Sequence, residues 1–236
     1  MIVYGRNAVR EALRGPRPVR RVWATERVAR EPWLGGVEVD RVDGPAELET
    51  LCGSEAHQGV CAQAAAYRYA DADDLLARAD PLLLALDEVQ DPQNLGAICR
   101  VAEAAGATGV VLPERRSAEV TPAVCKASAG AVEHLPVAHV RNLADFLAAA
   151  RKADCWIYGA DASATVSYET PDYRGGVVCV LGAEGRGLRP RVAAACDVLV
   201  SIPLRGRVES LNVAAAAAVL VYEILQRRSA PLDSGS

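Results

Sequence analysis

The stretch Pro81-Leu82-Leu83-Leu84-Ala85-Leu86-Asp87-Glu88-Val89-Gln90-Asp91-Pro92-Gln93-Asn94-Leu95-Gly96-Ala97-Ile98-Cys99-Arg100 holds the transition on which the fold turns. Residues 82–86 form a short continuous apolar run, the pattern of a strand covered on both faces. Pro92 turns the chain and Asn94 stands where a helix N-cap is expected. An apolar helix over 94–105 then carries Arg100 about two turns in. The texture repeats downstream, with strands expected over 109–112, 136–140, 156–159, 177–181 and 198–202. Helices are expected between most of them, for example over 143–153, and an Ala-rich helix over 211–228 closes the chain. Apolar strands separated by helices specify an α/β domain with a mostly parallel sheet.

Upstream, residues 5–14 read as a short helix with Ala8, Val9, Ala12 and Leu13 on one face and Arg6, Arg10 and Arg14 on another. Strands over 19–24, 37–42 and 58–65 and a helix over 45–52 complete a small α/β unit. The expected division is therefore a domain over 1–67, a charged linker over 68–79, a larger domain over 80–229 and a frayed tail over 230–236.

Composition narrows the function classes. The 236 residues are 51% hydrophobic and 24% charged, ordinary for a globular protein with a real core, and a single Phe leaves that core to aliphatic side chains. No apolar run approaches the ~20 residues of a membrane span, and residues 1–6 lack the layout of a signal peptide, so the expectation is cytoplasmic with no membrane partner. Seven cysteines without a C-x-x-C pair argue against a disulfide framework and against a metal site. The net charge is −4, yet residues 1–30 hold eight arginines against Glu11 and Glu26, and only Lys126 and Lys152 are lysines. Guanidinium suits phosphate forks and base stacking better than ammonium does. The competing explanation is an ordinary solvated face.

Two further segments carry candidate chemistry. In Val180-Leu181-Gly182-Ala183-Glu184-Gly185-Arg186-Gly187-Leu188, three glycines follow a buried strand and permit close backbone approach to a ligand. No Gly-Lys-Ser or Gly-Lys-Thr follows, which excludes the phosphate loop, and the position late in the sheet fits the dinucleotide fingerprint poorly. In Ile202-Pro203-Leu204-Arg205-Gly206-Arg207-Val208-Glu209-Ser210-Leu211-Asn212-Val213-Ala214, a strand runs into an irregular loop, and Ser210 or Asn212 opens the last helix. Each segment alone has a structural explanation in a cap or a tight turn.

In this order and at these separations the three segments resemble the signature motifs of the SpoU family of RNA ribose methyltransferases. The chain is most similar to the branch acting on a guanosine ribose of large-subunit ribosomal RNA. Residues 4–9 and 57–60 are similar to that branch's N-terminal RNA-binding domain, and residues 126–131 and 133–137 also match the family pattern. The resemblance implies a C-terminal domain with a trefoil knot, against the general prior on knots, and a homodimer formed through it. It implies S-adenosylmethionine held by Gly182, Ile202, Leu204 and Leu211, with no metal. Arg100 occupies the position proposed in the family for the base, with Asn94, Glu184, Ser210 and Asn212 positioning it and the substrate. Because a free guanidinium keeps its proton up to a pKa of about 12.5, Arg100 either is perturbed when RNA binds or orients the ribose and stabilises developing negative charge. Arg6, Arg10, Arg14 and His57 become the RNA-binding candidates. The rival readings are the same reaction on transfer RNA or another ribosomal position, including antibiotic-resistance methylation, and a non-catalytic RNA-binding protein. A nucleotide-cofactor oxidoreductase, suggested only by the glycine turn, ranks last.

Overall fold

A computed structural model describes residues 1–183, 185–208 and 210–229. In chain order its first elements are β1 (Ile2–Tyr4), α1 (Arg6–Arg14), β2 (Val19–Thr25), α2 (Glu26–Ala29), β3 (Asp40–Val42), α3 (Pro45–Cys52) and β4 (Val60–Ala64). There follow α4 (Ala72–Leu76), β5 (Leu82–Asp87), α5 (Pro92–Ala104), β6 (Gly109–Pro113), α6 (Pro122–Ala127), β7 (Val137–Val140) and α7 (Leu143–Lys152). The chain ends with β8 (Cys155–Ala160), β9 (Val166–Ser167), β10 (Gly176–Gly182), α8 (Pro190–Ala193), β11 (Val198–Ser201) and α9 (Val213–Ser229). These elements sort into two compact units. The first combines Met1–Arg68 with Pro92–Arg100 and Ala118–Leu135; the second combines Tyr69–Asp91, Val101–Ser117 and the chain from Pro136 onward.

In the first unit a four-stranded sheet runs in the order β1-β4-β2-β3. The middle strand β4 is antiparallel to both neighbours, pairing Cys61 with Tyr4 on one side and Trp23 on the other, and β3 lies parallel on β2. Helix α1 buries Ala8, Val9 and Ala12, the apolar face expected from its spacing. Residues 118–135 pack into this unit through positions that demand glycine. A Cβ on Gly130, whose φ is 91°, would strike Glu11 Cβ, and one on Gly15 would meet Glu133 Cβ at 2.9 Å. Arg17, one of the eight N-terminal arginines, is not on the surface. It is buried with a bidentate grip on the Glu133 carboxylate, Nε donating to Oε2 at 2.8 Å and Nη2 to Oε1, and Nη1 donates to the Ala65 carbonyl at 3.0 Å.

The second unit is built on seven strands ordered β7-β6-β5-β10-β8-β11-β9, and every pairing is parallel. The central strands explain why. All six residues of β5 and all five of β6 are buried, as continuous apolar runs must be when helices cover both faces. Helix α9 buries Val213, Ala217, Leu220, Val221 and Ile224, a single stripe at helical spacing. Its C-terminal end is pinned by Arg228, whose guanidinium donates to the carbonyls of Tyr173, Asp80, Pro81 and Gly175.

Three local expectations are revised. Helix α5 starts at Pro92, so Asn94 is a buried residue of the first turn and not the N-cap. Proline is preorganised for the first helical position and lacks the N–H that would go unsatisfied there. The stretch 68–79, expected as a linker, carries α4, whose Leu75 and Leu76 are buried in the core beneath the parallel sheet, and Ala70 bridges to Ala138. The strand expected over 37–42 shortens to Asp40–Val42. Among the described residues no helix is long and apolar enough to cross a membrane, and no group of three or more His, Cys, Asp or Glu could hold a metal ion.

Candidate active site

Parallel sheets bind ligands beyond the carboxyl ends of their strands, and a cavity of about 370 Å³ lies there in the second unit. That volume falls within the ~300–1,000 Å³ of ordinary small-molecule sites. Three parts of the chain wall it: Ala160–Ser163 after β8; Leu181, Gly182 and Ala183 with Gly185 to Leu188 around the end of β10; and Ile202, Leu204, Ser210 and Leu211 after β11, with Val213 and Ala216 of α9.

The glycine turn is formed by main-chain geometry. Ala183 and Gly187 close an antiparallel bridge, with the Gly187 N–H donating to the Ala183 carbonyl at 3.0 Å, and Gly185 and Gly187 adopt φ of 73° and 63°. At Gly182 a Cβ would run into the carbonyl of Gly187 and lie 2.6 Å from the Leu188 nitrogen. Backbone there meets backbone, so no side chain can yield and only glycine fits. The turn returns to the sheet through Arg189. Its main-chain N–H donates to Asp87 Oδ2 at 2.8 Å, and its Nε and Nη2 reach Oδ1 at 2.7 and 2.6 Å. The hydrogen bond to Asp87 raises the Arg189 pKa above the ordinary guanidinium value, burial opposing it.

Five of the residues expected from sequence come together here: Gly182, Ile202, Leu204, Ser210 and Leu211 all line the cavity. Asn212 caps α9, its Oδ1 accepting from the N–H groups of Ala214 at 2.9 Å and Ala215 at 3.3 Å. That settles the choice of cap in favour of Asn212 and leaves the Ser210 side chain at the cavity. Asn94 and Arg100 belong to the first unit; Arg100 is exposed and forms no ion pair among the described residues. Gly96, between them, allows α5 to approach the end of α6, since a Cβ would sit 2.9 Å from the Ser128 nitrogen. Glu184 lies outside the described residues, as does Glu209.

The proposed RNA contacts are mixed. Arg6 pairs with Glu31 at 2.9 Å, while Arg10 and Arg14 share Glu11 at 3.0 and 3.1 Å, so much of the stripe's charge is locally compensated. His57 is buried, and its Nδ1 accepts the Gly59 N–H at 3.0 Å, which holds the turn before β4. Sequence reasoning missed the Asp161–Ser163 loop and the Asp87–Arg189 pair. The first could have been found because it follows the end of a buried parallel strand; the second had no local signal.

The cavity suits a ligand that joins a flat apolar ring to a polar, charged arm. Leu181, Leu188, Ile202, Leu204, Leu211 and Val213 supply apolar walls, and the glycine turn and the 202–211 loop supply unobstructed main chain. A small-molecule pocket in an α/β unit, in a chain that also carries a small unit of mixed sheet, fits a group-transfer enzyme with a substrate-binding module. The chain belongs to the SpoU rRNA methylase family, whose model matches residues 81–222, and a model for RNA 2′-O ribose methyltransferase substrate binding matches residues 2–70. It is 40% identical to a Bacillus subtilis protein assigned to the TrmH family of tRNA/rRNA methyltransferases, over 96% of each chain. It is 46% identical to the 23S rRNA (guanosine-2′-O-)-methyltransferase RlmB of Xylella fastidiosa, over 82% of this chain and 80% of that one. Among solved structures, the SpoU methyltransferase AviRb of Streptomyces viridochromogenes in complex with AdoMet superposes with a TM-score of 0.81 at 27% identity, covering 96% of this chain and 89% of that one. The protein is thus an S-adenosylmethionine-dependent RNA 2′-O-methyltransferase with the trefoil-knotted α/β fold of its family.

Proposed function

We propose that this enzyme methylates the ribose of a guanosine in 23S ribosomal RNA, acting in the cytoplasm as a homodimer. The observation that carries the donor-site assignment is the convergence of Gly182, Ile202, Leu204, Ser210 and Leu211 on one cavity at the strand ends. The guanosine target is supported by the Xylella relative, whose description specifies that nucleoside. Residues 1–67 bind the RNA, residues 80–229 carry the reaction, and 68–79 lie between, a division supported by the two family-model matches. The dimer forms through α9, which is rich in alanine and leaves Tyr222 half-exposed.

The donor, when bound, supplies an electrophilic methyl on a sulfonium. Gly182 and the 202–211 loop hold it with main chain and apolar contact. Its methyl would pass to the ribose 2′-oxygen, with the bonding pair left on sulfur and the hydroxyl proton taken up by water. Arg100, exposed and without an ion-pair partner among the described residues, stabilises the negative charge that develops on that oxygen. Asn94, Glu184, Ser210 and Asn212 position Arg100 and the ribose. Arg6, Arg10 and Arg14 contribute to RNA binding, with Arg14 the most exposed of the three, whereas the buried His57 holds its turn.

The test is transfer of labelled methyl from S-adenosylmethionine to unmodified 23S RNA and to unmodified transfer RNA, with Arg100→Ala alongside. Label in a guanosine ribose of 23S RNA that the variant loses supports the proposal. Label in transfer RNA alone overturns the target and keeps the chemistry. Full activity in the variant removes Arg100 from the reaction.

A further inference from the structure

Asp87 ends β5 opposite Gly182, the last pair in the register between β5 and β10. Its side chain is wholly buried, yet it does not line the cavity. Both carboxylate oxygens are spent on one residue, Arg189, through its main-chain N–H and its guanidinium. The glycine turn therefore leaves the sheet beside Asp87 at Gly182 and is returned to Asp87 at Arg189. One carboxylate fixes the span between the two feet of the turn. The turn's described cavity-lining residues, Gly182, Ala183, Gly185, Arg186, Gly187 and Leu188, hang between those feet.

The neighbouring residue extends the arrangement. Glu88, held at a φ of 61°, bridges Arg189 at 3.4 Å and Arg116 at 3.2 Å. From Glu88 the chain runs through Val89, Gln90 and Asp91 into Pro92, the first residue of the helix that carries Asn94 and Arg100. Arg189 is half-exposed, so solvent screens the pair and its net contribution to stability is small. What such a pair does supply is direction, since two oxygens and three donors admit one geometry. Asp87 is placed where direction matters, at the base of a turn in which Gly182, Gly185 and Gly187 leave the backbone free to take other paths.

We propose that Asp87 and Arg189 are a positioning pair for the methyl donor, setting the width of the glycine turn so that its main chain meets the ligand. The inference rests on the reading of the cavity as the donor site. Neither residue touches the reacting atoms. Loss of the pair loosens the turn, so donor affinity falls while the rate of the bound complex is largely kept.

The experiment measures the Kd for S-adenosylhomocysteine by calorimetry, and KM for S-adenosylmethionine and kcat in RNA methylation, on the full chain. The variants are Asp87→Asn, Arg189→Lys and Leu211→Glu. Thermal melts check folding. Asp87→Asn is expected to raise both Kd and KM between about tenfold and about a hundredfold, the range for loss of one hydrogen bond to a charged group, with kcat within about twofold. Arg189→Lys keeps the main-chain N–H and a positive charge and loses the fork, so a smaller rise in the same direction is expected. Should Asp87→Asn fail to fold, Arg189→Lys decides alone, because Arg189 is partly exposed. Leu211→Glu alters an exposed wall of the cavity and tests the underlying reading. If it binds S-adenosylhomocysteine as the parent does, the donor-site assignment falls and the proposal with it. If it loses binding while folded Asp87→Asn and Arg189→Lys keep parental Kd and KM, the assignment stands and the positioning role is overturned. A fall in kcat with Kd unchanged also overturns it.

Discussion

Replacing Glu133 with glutamine should destabilise the first unit severely. The Glu133 side chain is 0% exposed and the Arg17 side chain 7%, and the carboxylate accepts from both Nε and Nη2 of the guanidinium. Burial disfavours the Arg17 charge, but hydrogen bonding and attraction to Glu133 outweigh it and raise the Arg17 pKa above the usual guanidinium value. The arginine therefore stays charged at neutral pH, and the glutamine variant leaves that charge buried without a counter-charge. Removing one partner of such a pair costs about 3–5 kcal/mol. The lower end, about 3 kcal/mol, is expected here, because Arg17 keeps the Ala65 carbonyl and glutamine offers one acceptor oxygen. The assay is urea unfolding followed by the fluorescence of Trp23 and Trp33, with Trp156 replaced by phenylalanine so that only the first unit reports. A double variant, Arg17→Met with Glu133→Leu, should recover most of the loss, since apolar replacement of a buried pair is often neutral or stabilising. A cost below about 1 kcal/mol for Glu133→Gln would refute the reasoning, for it would mean that the guanidinium reaches water or another anion. The outcome bears on domain structure, because Arg17 and Glu133 fall under separate family models, residues 2–70 and 81–222, yet pack in one unit.

Three other outcomes are expected. Arg14→Ala should weaken RNA binding and reduce the magnitude of the salt slope by about one, while Arg10→Ala does less because its side chain is less exposed than that of Arg14; unchanged affinity after replacing Arg6, Arg10 and Arg14 together would assign the stripe to solvent. Glu11 has its pKa lowered: burial acts to raise it, but the bonds to His134 and Arg10 and the nearby Arg14 charge prevail. Its contribution to stability is thus present above its unfolded pKa of about 4.5 and lost as pH falls through the lower folded value, so Glu11→Gln should flatten the acid limb of a stability–pH curve measured below that point. Burial pushes the thiols of Cys61, Cys99 and Cys179 up to about 12 and Cys125 to about 11, so these four should react with an aromatic disulfide reagent only after denaturation; rapid labelling of any of them in the native protein would contradict their burial.

Strands β5, β6 and β10 were legible because a strand covered on both faces must be apolar throughout, and that pattern needs no knowledge of its partners; β8 and β11 are apolar too, although partly exposed. The short elements were not. The three residues of β1 form a strand only because β4 pairs with them from some sixty positions away, as in Ile2 with Gln63, and no window around Ile2 contains that information. Residues 118–135 are the larger case. Their place beside α1 depends on Gly15, Gly130, Arg17 and Glu133 meeting across more than a hundred residues. Asn94 shows a different failure. Proline at position 92 and asparagine at 94 both signal a helix start, and the backbone constraint of proline prevailed over the side-chain preference of asparagine.

The candidate site divides along the same line. Gly182 could be singled out from sequence because glycine after a buried strand signals close backbone approach, and the reason turns out to be the Gly187 carbonyl packed against its Cα. Ile202, Leu204, Ser210 and Leu211 could be singled out only as a motif, since singly each reads as a strand end, a loop residue or a cap. What unites them is the shared position of strand ends β8, β10 and β11 in a parallel sheet, a property of topology and not of any segment. Asp87 marks the limit. An acidic residue at the end of a buried strand is common, and nothing near it indicates that Arg189, a hundred and two positions later, will return the glycine turn to its carboxylate. Residues whose chemistry is exerted on a ligand leave a signature in their own neighbourhood, whereas a residue whose work is to hold another segment becomes visible only when the chain has folded.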